Sequence, residues 1–383
     1  MRVLMVADRA FLSREHAMLR RLEVGLLDEG LRILRCVPTP CAGLMPSGLI
    51  PQAVYDDRGG RLLGAWRADR AVRELQAIDP NASRTSIDDG GVADIVHAWG
   101  EGCWDLASEI AISTEADLVL QTLSGRCLRQ VASMERRYRD WFDDRHRALW
   151  AVPDEPMSRA VAKERARWPV RILPWGVFVP DDLAPTRLPH HAGGICVCGS
   201  GEDPGAMVEF LEGAADCLRT EPGATPDVSG ILFVDENLVE STPKIWRIAE
   251  KLGLLDRLSV VADMESRREP ILRAQALALP EATGRHRSIT LDAMAAGMVV
   301  LAREDDLIED LIDSQTAHLI RPPARHAWRD ALTRVLTDSP WSTRLGQSAR
   351  QHVATHRLAS TQVAEALDLY RQLAGSPLEF KAP

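Results

Sequence analysis

The chain of 383 residues is longer than one hydrophobic core usually supports, so its length predicts about two or three domains. A composition of 45% hydrophobic and 26% charged residues is that of a globular protein and excludes a largely disordered chain. The net charge of −9 argues against general nucleic-acid binding, so we expect no nucleic acid among the partners.

Seven cysteines are scattered without C-x-x-C pairs, which favours buried free thiols over a disulfide framework or a zinc site. The apolar segment from Met1 to Ala7 is followed at once by Asp8 and Arg9, which predicts a buried strand and not a signal peptide. No segment approaches the ~18 consecutive apolar residues of a membrane span. We therefore expect a soluble, cytoplasmic protein.

Short apolar runs alternate with helical patterns in the first half of the chain, which predicts right-handed βαβ units and a parallel sheet. The predicted strands are 2–7, 31–37, 93–98, 118–122, 148–152 and 170–173, and the predicted helices include 62–78 and 104–114. Ser13 is predicted to cap the first helix, which ends before Gly30. The proline- and glycine-rich segment from Pro38 to Gly60 is interpreted as an excursion from the sheet.

Seven arginines and four acidic residues lie between Arg126 and Arg147, with apolar and aromatic side chains at helical spacing among them. A basic, aromatic helix of this kind can lie on an anionic membrane surface, so peripheral membrane contact is one interpretation. The interleaved acidic residues favour the alternative, a packed helix with a solvated arginine face.

The segment from Pro174 to Gly194 is rich in proline and histidine and has no periodicity, which predicts the main domain boundary. We expect an N-terminal domain (1–178), a linker (179–193), a C-terminal domain (194–355) and a terminal crossover helix with its tail (356–383). Further predicted strands are 195–198, 231–234, 258–261, 276–279 and 317–320, and further predicted helices are 204–217, 244–252 and 270–274, with three more that begin at His326, Trp341 and Ser360. Two doubly wound halves imply a ligand-binding cleft.

The stretch from Ala278 to Val300 contains the end of a strand, a polar loop, a short helix and a second apolar run. Ser288 is predicted to cap the helix and Gly297 to end it. The free N–H groups and the positive end of such a helix suit an anion such as a phosphate. The alternative is one unit of a parallel sheet that binds no ligand.

Four short motifs follow one another between Arg171 and Thr316. Arg171-Ile-Leu-Pro-Trp-Gly-Val177 resembles V-I-P-N-G-V, with tryptophan in place of asparagine, and Asp256-Arg257-Leu258 resembles D-R-V. Pro280 with Asp292-Ala-Met-Ala-Ala-Gly297 resembles P-S-x-x-E-G-F-G-x-x-x-x-E-A-M-A-x-G, and Glu309, Asp313 and Thr316 match positions of E-x-I-x-D-G-x-T-G. The motifs and their order are similar to those of GT-B glycosyltransferases of the family 4 type, and the similarity covers nearly the whole chain.

The resemblance implies an α/β protein of GT-B architecture: two Rossmann-like, doubly wound parallel-sheet domains that face a cleft, with the C-terminal helix packing back on the first domain. It implies a retaining transferase that moves a hexose from a nucleoside diphosphate sugar to a glycan, a lipid or a small-molecule acceptor. The family needs no metal, and we expect no cofactor apart from the donor substrate.

The donor-site motifs of the family are degenerate in this chain. Gly284 stands where the family has the glutamate that lies against the donor sugar, and Asp292 stands where it has the glutamate that binds the ribose. Ser200 and Gly201 follow the first strand of the second domain, where the family has an arginine and a lysine for the pyrophosphate. We expect Asp292 to hold the ribose, and Ser200, Gly201 and Ser288 to lie against the phosphates.

Two arginines offer a compensation for the missing basic residues. Arg285 and Arg287 stand where the family has glycines, and their guanidinium groups are expected to meet the diphosphate. The alternative is a solvated basic loop near Asp305 and Asp306.

The acceptor side of the family's site is matched by residues of the first domain. His97 resembles the first histidine of the family's V-H-A-H strand end, and Ser124, in the sequence T-L-S-G, takes the place of the histidine in T-x-H-G. Both are expected to act as catalytic residues; for His97 the alternative is a core histidine with satisfied ring nitrogens. Arg14, Glu15 and His16 resemble the family's acceptor-side E-R-H segment.

Three functions stay open from the sequence. The first is the transferase, and the second is a catalytically inactive binding or scaffold protein that kept the fold and lost the donor site. The third is a protein that binds a nucleotide sugar and carries out other chemistry, such as epimerisation.

Overall fold

The structure is a computed structural model that describes residues 1–45, 48–57, 64–78, 92–142, 147–179, 194–218, 230–242, 244–262, 264, 274–322 and 324–375. The chain divides into two compact units. The first comprises Met1–Trp175 and Ala359–Pro383, and the second comprises Gly176–Leu358. Apart from Val179, the predicted linker 179–193 lies outside the described residues, and the predicted domain limits stay a prediction.

The first unit is built on a parallel sheet that has seven strands within the described residues. The strands are β1 (Arg2–Ala7), β2 (Arg32–Pro38), β3 (Gln52–Tyr55), β4 (Ile95–Trp99), β5 (Asp117–Gln121), β6 (Ala148–Val152) and β7 (Val170–Ile172). The helices are α1 (Arg9–Asp28), α2 (Gly64–Ile78), α3 (Trp104–Thr114), α4 (Gly125–Leu128), α5 (Val131–Tyr138) and α6 (Glu155–Lys163). The strand order β3-β2-β1-β4-β5-β6-β7 reverses direction between β1 and β4. In open parallel sheets, such a reversal marks the edge where ligands bind.

The central strands of the first sheet are buried on both faces. Every residue of β4 and β6 is buried, as expected where helices cover both sides of a parallel sheet. This continuous burial explains why β6 is an unbroken apolar run in the sequence and why β4 departs from one only at His97.

Several local predictions for the first unit are wrong. Asp8, not Ser13, caps α1, because its Oδ1 accepts a hydrogen bond from Phe11 N at 2.6 Å. The predicted excursion after Pro38 returns to the sheet as β3, which pairs with β2 at the edge. The long basic helix predicted to begin at Arg126 is instead interrupted between α4 and α5. Peripheral contact of this segment with a membrane stays a prediction.

The terminal helix α13 (Ala359–Gly375) packs on the first unit, as the resemblance predicts. Val363 lies so close to Gly25 of α1 that a Cβ at this glycine would collide with the valine side chain. Tyr370 is completely buried and its hydroxyl reaches His97 of β4 at 2.7 Å. A segment distant in sequence therefore completes the core of the first unit.

The second unit is built on a parallel sheet that has six strands among the described residues. The strands are β8 (Gly194–Val197), β9 (Ile231–Asp235), β10 (Leu258–Val261), β11 (Ala274–Leu279), β12 (Val299–Arg303) and β13 (His318–Ile320), in the order β10-β9-β8-β11-β12-β13. The helices are α7 (Pro204–Leu218), α8 (Glu236–Ser241), α9 (Ile245–Lys251), α10 (Arg287–Ala295), α11 (Arg325–Thr337) and α12 (Ser339–His356). The order reverses between β8 and β11, so the carboxyl ends of these two strands mark its expected ligand edge.

The predicted helix at 270–274 is wrong at its only described residue, since Ala274 begins β11. Gly297 follows α10 with a φ of 67°, in the left-handed region that favours glycine, as predicted for its end. The fold class predicted from the resemblance, two parallel-sheet α/β domains, is confirmed.

Among the residues that the structure describes, none of the helices has both the length and the apolar character needed to cross a membrane.

Candidate functional site

The loop between β8 and α7 binds the carboxylate of Glu281, a residue that follows the neighbouring strand β11. Glu281 Oε2 accepts hydrogen bonds from Ser200 N, from Ser200 Oγ at 2.8 Å and from Gly201 N at 3.1 Å. Its other oxygen, Oε1, accepts from Asp203 N at 2.8 Å. We call these four donors, carried by Ser200, Gly201 and Asp203, the anion nest.

The anion nest forms for local reasons. Strands β8 and β11 are parallel neighbours, so the loop after β8 and Glu281, which follows β11 and Pro280, meet at one edge of the sheet. Gly201 adopts a φ of 74°, which directs successive N–H groups to one side of the loop. A Cβ at Gly199 would lie 3.1 Å from Glu281 Oε2, so glycine at this position lets the carboxylate approach the backbone.

Two ion pairs flank the anion nest. Arg285 pairs with Glu202 at 3.1 Å, and Arg303, at the end of β12, pairs with Asp203 at 2.7 Å. Asp203 also caps α7, because its Oδ1 accepts from Ala206 N at 3.1 Å. Arg285, which we expected at a diphosphate, is thus next to the anion nest but engaged by an acidic neighbour. Arg303 is a second basic group at this edge, which no sequence motif predicted.

The loop that precedes α10 is shaped by backbone conformation. Gly284 has a φ of 74°, and its N–H donates to Asp305 Oδ2 at 2.6 Å. His286, with a φ of 61°, is the N-cap residue of α10. The prediction that Ser288 caps this helix is therefore wrong, because the chain turns into the helix before Arg287 and Ser288 lies buried in the first turn.

The guanidinium group of Arg287 donates hydrogen bonds to backbone carbonyl groups. Its Nε donates to Gly284 O at 3.0 Å and its Nη2 donates to Leu307 O, and the residue is 4% exposed. The alternative of a solvated basic loop is wrong for Arg287, because burial and backbone contacts hold it in place. Asp292, in the middle of α10, is half-buried, so part of its side chain reaches the surface.

His97 lies in the core of the first unit and not at a surface. It is completely buried, stacks on Trp99 with ring centroids 4.2 Å apart, and has a partner at each ring nitrogen. Gln121 Oε1 lies 3.3 Å from Nε2, so Nε2 carries the proton and Nδ1 accepts from Tyr370 Oη at 2.7 Å. Burial lowers the pKa of His97 to about 3, although the hydrogen bond with Gln121 opposes the shift. Burial and these two partners favour the alternative of a core histidine with satisfied ring nitrogens, and the catalytic role of His97 stays a prediction.

Ser124 is also buried, at 1% exposure. Its hydroxyl lies 3.4 Å from Cys127 Sγ, and this thiol donates to Glu101 Oε2 at 3.1 Å. Burial raises the pKa of the Cys127 thiol to about 12, and the nearby Glu101 carboxylate adds to the rise. The catalytic role of Ser124 stays a prediction.

The three residues of the predicted acceptor segment lie in the first half of α1. His16 is buried and its Nδ1 lies 2.9 Å from Leu12 O, while Glu15 is 5% exposed. Arg14 is partly exposed, and its Nη1 donates to Ala10 O at 3.3 Å. These contacts are within the helix, and the acceptor role of the segment stays a prediction.

The segment from Glu309 to Thr316 is held by the end of α12. Arg357 Nε donates to Asp310 Oδ1 at 2.7 Å, and His352 Nε2 lies 3.0 Å from the same oxygen. Burial alone raises the pKa of Asp310, but the hydrogen bond from His352 and the charge of Arg357 outweigh burial and hold this pKa below its usual range. Thr316 Oγ1 donates to Asp310 O, so the motif residues stabilise a turn.

No group of three or more histidine, cysteine, aspartate or glutamate side chains suited to a metal ion is found within the part of the chain that the structure describes.

No family model matches the chain. A curated relative, a D-inositol 3-phosphate glycosyltransferase of Corynebacterium glutamicum (strain R), is 30% identical over 134 residues. That match covers 34% of this chain and 32% of the relative, so the chain spans about a third of the length of the curated relative it matches.

Solved structures match over nearly the whole chain. A sucrose-phosphate synthase from Thermosynechococcus elongatus superposes with a TM-score of 0.72 at 14% identity, covering 97% of this chain and 99% of that one. Anabaena HepE in complex with UDP-glucose gives a TM-score of 0.69 at 13% identity, covering 97% and 100%. A putative UDP-N-acetylglucosamine 2-epimerase from Listeria monocytogenes gives 0.62 at 13% identity, covering 100% and 99%. At these identities the likeness shows the fold, and the chain has the GT-B fold of these proteins.

The structure brings together some of the predicted donor residues. Ser200 and Gly201 form the anion nest, and Arg285 reaches it through Glu202. Glu281 was missed, although an acidic residue directly after the strand-ending proline was visible where the motif P-S-x-x-E has a serine. Of the predicted acceptor-side residues, His97 has Tyr370 as a partner and Ser124 has Cys127.

Proposed function

We propose that the protein is a glycosyltransferase that takes its sugar from a nucleotide sugar. The observation that carries the proposal is the match of 97% of the chain to a sucrose-phosphate synthase and to a protein bound to UDP-glucose. The curated relative, itself a glycosyltransferase, supports the same class of reaction. Because one fold hosts several chemistries, the reaction needs its own test.

The second unit supplies the donor contacts in this proposal. Asp292 accepts hydrogen bonds from the ribose hydroxyls, since its carboxylate is partly exposed on α10. The anion nest faces the same sheet edge, with Arg285 and Arg303 beside it. Stabilising the leaving diphosphate is an electrostatic task, which N–H groups and guanidinium groups perform. By the family resemblance, the sugar is a hexose, the anomeric configuration is retained and no metal is required.

The proposal is tested by incubating the purified protein with UDP-, GDP- and ADP-glucose and measuring release of the nucleoside diphosphate over hours. We expect turnover of one donor, and a loss of about tenfold or more in kcat/KM for Asp292→Asn, because one charge-assisted hydrogen bond contributes ~1.5–3 kcal/mol. The exposed Asp306 provides a charge-matched control, Asp306→Asn, that leaves the rate unchanged. Absence of turnover with every donor contradicts the proposal.

The finer parts of the proposal have separate readouts. Proton NMR of the first product formed distinguishes retention from inversion at the anomeric carbon. Activity that survives a chelator supports a metal-independent reaction. A product that is an altered free sugar or nucleotide sugar, with no transfer, identifies epimerisation, for which the epimerase of the same fold is a precedent.

A binding or scaffold protein without a donor site is the second candidate. One observation favours it: the Glu281 carboxylate occupies the anion nest. On this proposal UDP, GDP and ADP at millimolar concentration leave the melting temperature unchanged. A nucleotide present at about 100 times its dissociation constant instead stabilises the folded protein by ~2.7 kcal/mol, a readily measured shift.

A further inference from the structure

The anion nest is a complete coordination site that is filled from within the chain. Three backbone N–H groups and one hydroxyl converge on the two oxygens of the Glu281 carboxylate, and this residue is only 7% exposed. Donors of this kind, in a loop that leads into a helix, bind phosphate groups in the same way. The chemistry of the nest therefore fits any small oxyanion.

The bound carboxylate is not needed as a helix cap. Asp203 caps α7 with its own side chain, through Ala206 N at 3.1 Å. Glu281 is 81 residues from Ser200 in sequence and reaches the nest from the loop after the next strand, β11. The geometry of the loop is set by Gly201, with its φ of 74°, and by the cap at Asp203. Because neither feature involves Glu281, we expect the nest to keep its shape when the carboxylate leaves.

The charged side chains around the nest carry a net negative charge, which opposes the binding of a further anion. Glu281, Glu202 and Asp203 carry three negative charges, and Arg285 and Arg303 carry two positive charges. With the Glu281 carboxylate in place, a phosphate meets both an occupied site and a net negative charge. Without it, the two arginines offset the remaining two acids and the N–H groups are open to an anion.

We propose that Glu281 is a built-in competitor for the anion nest: its carboxylate excludes the phosphates of a ligand, and a phosphate-containing ligand enters the nest only when this side chain swings out. The exclusion of a sugar donor's phosphates from the nest rests on the proposed function. The occupation of the nest by Glu281 does not rest on it. Glu281 thereby sets how strongly the second unit holds a nucleotide.

The size of the effect follows from population arithmetic. A ligand that binds only the open form has its affinity reduced by the fraction of molecules in which Glu281 is withdrawn. If that fraction is about one in ten or smaller, removing the carboxylate tightens binding by about tenfold or more.

The test compares binding of inorganic pyrophosphate and UDP to the wild-type full chain, Glu281→Ser and Glu281→Gln by isothermal titration calorimetry. Glu281→Ser empties the nest and leaves a small hydroxyl at its edge. Glu281→Gln keeps the size and one oxygen acceptor but removes the charge, so a gain smaller than that of the serine variant is expected. We expect pyrophosphate affinity to increase by about tenfold or more in Glu281→Ser.

The matched control is Glu236→Ser, which removes the same charge from the first turn of α8, after the neighbouring strand β9. Because the nest stays occupied in this variant, its affinity for pyrophosphate is expected to change by less than about twofold. An equal gain in this control and in Glu281→Ser assigns the effect to overall charge and overturns the proposal.

Circular dichroism and the melting temperature verify that the variants are folded, and Glu281→Gln remains a test if the serine variant is not. If both folded Glu281 variants bind pyrophosphate with the wild-type affinity, the proposal that Glu281 competes for the nest is overturned. Failure of the proposed function gives a different result: pyrophosphate affinity rises in Glu281→Ser, but no nucleotide sugar is turned over by any variant. Turnover by the wild type without any gain in Glu281→Ser supports the transferase and rejects the competitor.

Discussion

His97 is a base that the fold keeps neutral. Both of its ring nitrogens have hydrogen-bond partners, and its ring stacks on Trp99 in a region without solvent. A charged imidazolium in this place loses its hydration and finds no carboxylate among these partners, which is why burial lowers its pKa to about 3. At the residue scale, the buried environment of His97 depends on Tyr370, which lies 273 residues further along the chain.

The lowered pKa of His97 predicts a dependence of stability on pH. In the unfolded chain a histidine titrates near ~6.5, whereas in the folded protein it titrates near about 3. Between these values the unfolded state binds more protons, so the free energy of unfolding falls as the pH is lowered from 7, by up to ~1.4 kcal/mol per pH unit from this group. We expect His97→Gln to flatten this slope between about pH 6 and 4 in urea titrations.

The exposed His326 supplies the control for this experiment. His326→Gln is expected to retain the wild-type slope, because its side chain is in water in both states. A slope in His97→Gln as steep as that of the wild type contradicts a buried, neutral His97.

At the scale of elements, α7 and α11 pack at a glycine. A Cβ at Gly213 of α7 would lie 2.6 Å from Arg325 O and 2.6 Å from Trp328 Cβ. Trp328 is 1% exposed and stands edge-on to Phe210 with ring centroids 5.1 Å apart. The absence of a side chain at Gly213 therefore lets the backbone of α7 approach the start of α11 and bring these two rings together.

We predict that Gly213→Ala destabilises the second unit, although alanine is the better helix former. The added methyl meets backbone atoms that cannot turn away, and overpacking of this kind costs ~1–3 kcal/mol. Gly205 lies in the first turn of the same helix, is exposed, and has only Asp203 Oδ1 near its Cβ position, at 3.3 Å. Gly205→Ala is therefore the matched control, and chemical denaturation should show a smaller loss than in Gly213→Ala. Equal losses in the two variants would show that close packing at Gly213 is not the cause.

At the scale of the whole molecule, each unit has its own sheet and its own buried core. The chain leaves the first unit after Trp175 and returns to it at Ala359, where α13 packs on α1 and β4. The stability of the first unit thus depends on residues from both ends of the chain. Such an arrangement is expected to unfold in more than one cooperative step.

Tyr370→Phe tests this dependence. The substitution removes the hydroxyl that donates to His97 Nδ1 at 2.7 Å and leaves a buried acceptor unpaired, a loss of about 1–3 kcal/mol. In calorimetry we expect the unfolding transition of the first unit to move down while that of the second stays in place, and Gly213→Ala to produce the reverse. Equal displacement of both transitions by either variant contradicts separate cooperative units.

Much of the fold could be predicted from the chain because strands and helices leave a local pattern. The limits of α3 and β6 coincide with the predicted 104–114 and 148–152, since continuous apolar runs and a 3.6-residue period depend only on neighbouring residues. Helix starts were less predictable. Ser13 and Ser288 are suitable cap residues, yet Asp8 and His286 take these positions because the loops before α1 and α10 turn earlier.

The sequence by itself determined two parallel-sheet halves and the resemblance to GT-B transferases, and the resemblance led us to expect an anion at the loop after β8. Only the tertiary structure decided what fills that place, because the Glu281 carboxylate comes from the loop after another strand, 81 residues from Ser200. It also turned His97 into a core group and Arg287 into a brace for its own loop. Hydrophobic periodicity depends on residues that are close in sequence. The partner of a buried polar group depends instead on packing between segments that are far apart in sequence.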